Sequence, residues 1–274
     1  MSWIIFILLS ALFNALWAAL SKRRLGKSSS ISFSFLFRSF VVLLYLPIFL
    51  LDFSISKRPL FWTAVLFSGF LNALIIIFLF EGVRKDYYST YSLANASPAF
   101  TWVLAISFLK EPIDSSVIMG TALVVMGALM FYRAKQFSWL GLLCATLIGI
   151  NSIFNKIGVN LSSPYTFPFL SYSFTVILLS IFSTAYEQEK KELGNIAKKW
   201  KVILPLSLLS FLAMLFGFKA LYMVDVSRMA PVARIRLVFG FLLSYYYLRE
   251  TLNWRYRLVG GIIISAGAAI IAMA

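Results

Sequence analysis

Ten apolar stretches follow one another along the chain with little between them, at 3–21, 31–51, 60–80, 88–109, 116–132, 140–157, 167–186, 202–224, 226–248 and 254–274. Stretches of 17 to 25 residues match the length a helix needs to cross the hydrocarbon core of a bilayer. Spans and connections of this size use up all 274 residues, which leaves no soluble catalytic domain. A hydrophobic share of 61% and a mean hydropathy of +0.88 stand well above the roughly half-apolar mix of soluble domains. The expected fold is an all-α polytopic membrane protein of ten transmembrane helices.

The ten stretches read as one five-helix unit used twice. Leu109-Lys110-Glu111 continues to Gly120 and Gly127, and Leu248-Arg249-Glu250 continues to Gly260 and Gly267. Lys22 and Ser39 meet Lys156 and Ser173 at an offset of 134, while Asp86 meets Asp225 and Glu111 meets Glu250 near 140. Apolar matches are cheap in a membrane protein, so these polar and glycine matches carry the argument. The short basic turn at 133–137 divides the chain into units 1–135 and 136–274. Because five is odd, the second unit enters the bilayer from the opposite side, the inverted-repeat plan of transporters with a substrate site where the halves meet.

Other features narrow the function. The first stretch lacks the basic residues that precede a secretory signal, and its repeat partner at 140–157 lies mid-chain, so it reads as a retained helix. A formal charge of +15 would suggest nucleic acid in a soluble protein, but most Lys and Arg flank the spans, where they face cytoplasm and anionic headgroups. The expected partners are therefore the lipid bilayer and a small-molecule substrate, with no nucleic acid; the oligomeric state is open. By the positive-inside rule the richer basic side, opposite the termini, puts both ends outside. Segment 187–201 has mixed charges and reads as a solvated loop or surface helix. Zero His and one Cys leave little from which to build a nucleophile or metal constellation, so neither an enzyme nor a cofactor is expected. Cys144 forms no disulfide within the chain and reads as a small buried apolar residue.

The motifs together resemble the EamA-type transporters of the drug/metabolite transporter superfamily. The resemblance rests on Ala96, Ser97 and Pro98 leading to Leu109-Lys110-Glu111-Pro112, and on Val226-Ser227-Arg228-Met229-Ala230-Pro231 leading to Leu248-Arg249-Glu250-Thr251. Arg38 and Asn155-Lys156 are similar to features of the second and first helices of such repeats. It implies a multi-pass inner-membrane protein, secondary transport without ATP, and a central cavity lined by helices three, four, eight and nine. It also implies cytoplasmic termini, opposite to the charge count, and the orientation stays open.

Charges deep in a span cost about 2.5 to 3.5 kcal/mol on insertion scales and usually face a cavity or a partner. Arg38, Lys219, Arg234 and Arg236 lie inside spans, whereas the acids sit near span ends or in loops. A cation-lined cavity favours an anionic or zwitterionic substrate. At 100° per residue, positions 234 and 236 stand about 200° apart, so both face one cavity only if the helix is irregular, which Pro231 could cause. Of the two, Arg234 is the expected ligand, since its repeat partner is Asn95.

Tyr88, Tyr91, Asn95 and Trp102 recur at helical spacing on the fourth span, a stripe suited to a flat, partly polar ligand. Asn72 and Tyr222 border the same expected cavity, while Asn151 and Asn155 are expected in interhelical hydrogen bonds. Glu111 and Glu250 are expected at the surface, accepting from the next helix's N-terminus or pairing with nearby cations. The glycines at 120, 127, 260 and 267 are expected to let helices approach closely. The expected mechanism is alternating access, with Lys219 and Arg234 as electrostatic anchors. The alternatives are a broad amino-acid or amphiphile exporter and a membrane scaffold that moves nothing.

Overall fold

The computed structural model describes residues 2–25, 31–85, 90, 93–132, 137–185, 193–194, 197–198, 200–247, 249 and 254–274, and every regular element among them is helical. In chain order these are α1 (Ser2–Leu25), α2 (Ile31–Leu51), α3 (Pro59–Lys85), α4 (Ser97–Leu104), α5 (Ser115–Tyr132), α6 (Trp139–Leu161), α7 (Thr166–Ala185), α8 (Trp200–Met223), α9 (Val226–Val232), α10 (Arg236–Tyr246) and α11 (Trp254–Met273). Among the described residues seven helices, α1, α2, α3, α6, α7, α8 and α11, are long and apolar enough to cross a membrane. Most of the boundary at 133–137 and of the segment 187–201 lies outside the described residues.

The fourth and ninth stretches differ from the continuous spans expected. Asn95 and Ala96 form a turn, and α4 opens at Ser97 with Pro98 in its first turn, where a missing N–H is tolerated. α4 then runs into a π-helical turn, Ala105–Leu109, which Lys110 ends at φ 55°. Pro231 lies inside α9, where it has no amide to give the ladder. α9 passes into a 3₁₀ turn, Ala233–Ile235, before α10 resumes. Arg249, at φ 56°, repeats the left-handed backbone of Lys110 in the second copy of the motif.

The packing exchanges the halves. α1 packs on α8 and α10, while α6, its counterpart in the second half, packs on α3 and α4. Likewise α3 packs on α7, and α8 on α2. The α3–α6 seam is polar: Ser68 donates to Asn155 at 2.6 Å and Asn151 donates to Asn72 at 3.2 Å. In the equivalent α1–α8 seam, Ser10 donates to the Ala213 carbonyl at 2.6 Å.

Helices that meet their own counterparts do so antiparallel. On α2 and α7, Thr166 donates to the Asp52 carbonyl, Phe49 stacks on Phe169 at 4.2 Å, and Arg38 lies over the Tyr172 ring at 5.0 Å. Numbers rise along one helix as they fall along the other. On α5 and α11, Gly120 backs onto Gly267 and Gly127 onto Gly260, so each glycine pair is the repeat image of the other. A Cβ on Gly127 would stand 2.7 Å from the Gly260 carbonyl oxygen and 3.0 Å from the Ile264 nitrogen. Both obstacles are backbone, so the helices would have to separate.

Gly127→Ala is therefore expected to destabilise the protein by about 1–3 kcal/mol, the usual cost of overpacking. Thermal unfolding in detergent measures it against Gly240→Ala, whose added Cβ meets nothing within 4 Å. An equal midpoint for the two variants would contradict the close seam.

Candidate functional site

Two buried charges secure the corner where α8 gives way to α9. Lys156 of α6, 8% exposed, donates from Nζ to the carbonyls of Leu221 at 2.8 Å and Val224 at 2.9 Å. Glu111, also 8% exposed, accepts the Val226 and Ser227 amides, each at 2.9 Å. A cation thus meets the carbonyl end of one helix and an anion the amide end of the next, the polarity that helix dipoles favour. The side chain of Asp225, the N-cap residue of α9, makes no capping bond. Glu111 does that work from the other half of the chain.

This corrects the surface placement expected for Glu111. It is buried, and the helix it serves is α9 rather than the α5 that follows it. Asp114 is the residue that caps α5, accepting the Ser116 amide at 2.8 Å, and it also pairs with Arg228 at 3.0 Å. Glu250 lies outside the described residues.

The interruptions in the fourth and ninth stretches face each other. Arg234, in the 3₁₀ turn and 6% exposed, donates from Nη1 to Asn95 Oδ1 at 3.1 Å and from Nη2 to the Ser97 hydroxyl. Arg236 donates from Nη2 to the same Asn95 oxygen at 3.0 Å. Asn95 is 3% exposed. At the repeat offset of 139, Asn95 pairs with Arg234 and Ser97 with Arg236. The contacts cross accordingly: Arg234 reaches Ser97 and Arg236 reaches Asn95, the reciprocal pattern of a two-fold contact. The irregular backbone is what lets both guanidiniums converge, where a continuous helix would set them on opposite faces.

The other expected residues distribute around this centre. Lys219 sets its ammonium over the Phe6 ring, 4.5 Å from the centroid. Phe6 and Trp102 pack into one apolar cluster with Met229, Ala233 and Ile235, the last two flanking Arg234. Trp102 Nε1 is buried there without a hydrogen-bond acceptor. Asn72 belongs to the α3–α6 seam, accepting from Asn151 and donating to Ser68 at 3.5 Å. Tyr222, 51% exposed, sits near the end of α8. Arg38 is held at the α2–α7–α8 contact, donating to Met214 Sδ at 3.3 Å and covering Tyr172. Tyr88 and Tyr91 lie outside the described residues. Ser97 was not among the expected site residues, and the offset of 139 that pairs it with Arg236 is the signal that finds it.

Fold and site define an integral membrane protein of two similar halves that meet at buried cations. The chain belongs to the EamA-like transporter family, whose model matches twice, over residues 1–133 and 137–273. No curated protein matches the chain. Among solved structures, one described only as a crystal structure of a protein is similar with a TM-score of 0.76 at 13% identity, covering 99% of this chain and 96% of that one. A likeness at that identity speaks to the fold alone.

Glu111→Ala leaves two buried helix-terminal amides without their acceptor and is expected to cost about 1–3 kcal/mol. Asp114→Asn loses a pair whose side chains are 27% and 26% exposed and is expected to cost under about 1 kcal/mol. Urea or thermal unfolding in detergent ranks them, and the reverse order would count against the buried cap.

Proposed function

We propose that the protein is a secondary transporter that moves a small anionic or zwitterionic metabolite across the cell's inner membrane by alternating access. The two halves, 1–135 and 136–274, are five-helix units of opposite direction, ten spans in all, and they rock about a site between them. The observation that carries this reading is the crossed contact of Asn95 and Ser97 with their own repeat counterparts, Arg234 and Arg236. Transporters of this plan build their sites from interrupted helices at the repeat interface. Arg234 stands eight residues after the start of α9 and twelve before the end of α10, or about 12 and 18 Å at 1.5 Å per residue. That depth is near the middle of a hydrocarbon core about 30 Å thick.

Buried guanidiniums select oxyanions, because bidentate, charge-assisted hydrogen bonds to carboxylate or phosphate gain most in a low dielectric. Lys219, above Phe6, adds positive potential at the edge of the same apolar cluster. A second reading, an exporter of amino acids or amphiphiles, draws on the Trp102 indole beside Phe6 and its unused N–H.

Proteoliposome uptake separates the two readings. Arg234→Gln is expected to lower uptake of anions at least about tenfold, the equivalent of one hydrogen bond to a charged group, with neutral and cationic solutes much less affected. Trp102→Leu is expected to do the opposite. Equal loss for anions, cations and neutral solutes in Arg234→Gln would count against the anion assignment.

A further inference from the structure

We propose that Arg38, Tyr45 and Tyr172 form a second anion site, separate from the Arg234 centre, for the carboxylate of a small aromatic acid. The inference goes beyond the transport reading and does not depend on it. Arg38 and Tyr45 stand seven residues apart on α2, and so on one face of it. From there the Arg38 guanidinium reaches α7 and α8. It lies 5.0 Å from the centroid of the Tyr172 ring, donates to the Tyr172 hydroxyl, and donates from Nη1 to Met214 Sδ at 3.3 Å. Tyr172 is the repeat counterpart of Arg38 at the offset of 134. The contact therefore joins the halves through a counterpart pair, as Asn95 and Arg234 do, but on different helices.

These partners do not balance the charge. Among the described residues Arg38 has only neutral acceptors, and no carboxylate pairs with it. A phenol stays un-ionised near neutral pH, and a thioether accepts weakly. Tyr45 is fully buried and its hydroxyl has no hydrogen-bond partner, although it lies within the field of the Arg38 charge. A buried hydroxyl left unpaired and a cation answered by neutral groups alone are each unfavourable. One carboxylate relieves both, because its two oxygens accept from the guanidinium and from the Tyr45 hydroxyl together. Arg38 is itself only partly covered, and Met214, flexible and weakly bonded, is the side chain that yields. The walls select the rest of the ligand: Phe211 stands edge-on to Tyr45 at 4.8 Å and Phe218 edge-on to Tyr172 at 6.0 Å. A ring attached to the carboxylate meets aromatic side chains on α2, α7 and α8, with which ring pairs are favourable.

The test is binding of labelled benzoate to the full-length protein in detergent, with thermal unfolding as a second readout. Wild type is expected to bind benzoate saturably, to unfold at a higher temperature in its presence, and to respond little to benzamide, which has the shape without the charge. Arg38→Gln is expected to bind benzoate at least about tenfold more weakly, the loss of one hydrogen bond to a charged group. Tyr45→Phe keeps the ring and removes only the hydroxyl. It is expected to weaken benzoate about tenfold as well, yet without ligand to unfold no lower than wild type, since the hydroxyl it lacks had no partner.

Absence of saturable benzoate binding to wild type overturns the proposal. Unchanged affinity in Tyr45→Phe overturns it too, as does unchanged affinity in Arg38→Gln, which moves the bound anion to another cation. Laurate separates the two sources of a carboxylate: binding of laurate that the same variants lose, with none of benzoate, assigns the site to a fatty acid of the bilayer and overturns the aromatic ligand. Wild type that binds benzoate through Arg38 and Tyr45 but moves no anion in proteoliposomes upholds this site and refutes the transport reading alone.

Discussion

A guanidinium keeps its charge at every accessible pH, so a bundle that buries Arg234 has to offer acceptors to its charged end. Two acceptors come from the opposite half, the Asn95 amide oxygen and the Ser97 hydroxyl. They can be reached because neither partner lies in regular helix: Asn95 sits in a turn and Arg234 in a 3₁₀ segment. Interrupting a helix at depth exposes backbone groups that lipid cannot satisfy. The rest of the architecture compensates for that exposure.

Compensation is clearest at the corner before α9. Lys156 takes the last carbonyls of α8 and Glu111 the first amides of α9, so the strand of chain that presents Arg234 is fixed at its entrance by two side chains of opposite sign. Glu111 comes from the first half and Lys156 from the second. The halves are thereby interlocked at this corner, at the Asn95 centre and along the α5–α11 glycine seam. Van der Waals approach of backbones dominates the seam, and electrostatics dominates the other two.

Much of this was legible in the sequence. The order of apolar runs and the doubled Leu-Lys/Arg-Glu motif anticipated a helical protein of two similar halves, because both signals depend only on composition and spacing. The glycine seam was legible for the same reason: four glycines at matched spacing do one job. The role of Glu111 was not, because its partner amides lie 115 and 116 residues away, and no local pattern reports such a distance. Asn72 illustrates the opposite difficulty. A polar residue on an expected cavity helix and one in an interhelical seam look alike in sequence, and only the bond from Asn151 separates them. The convergence of Arg234 and Arg236 was withheld by regular helical geometry, which the 3₁₀ turn sets aside.

The crossed contacts have one more consequence. In an inverted repeat, exchanging the conformations of the two halves reverses the direction of access, and contacts made between repeat counterparts survive that exchange as a class. Asn95–Arg234 joins two counterparts, and Arg234–Ser97 and Arg236–Asn95 are images of one another under the repeat. Their chemistry, however, is not symmetric: both cations stand on the second half and both neutral acceptors on the first. The charge of this centre is therefore carried by the second half, at its 3₁₀ turn and the start of α10, and the neutral groups that receive its hydrogen bonds by the first half, at the turn before α4. Duplication sets four related positions against one another, and their unequal substitution decides which half carries the charge.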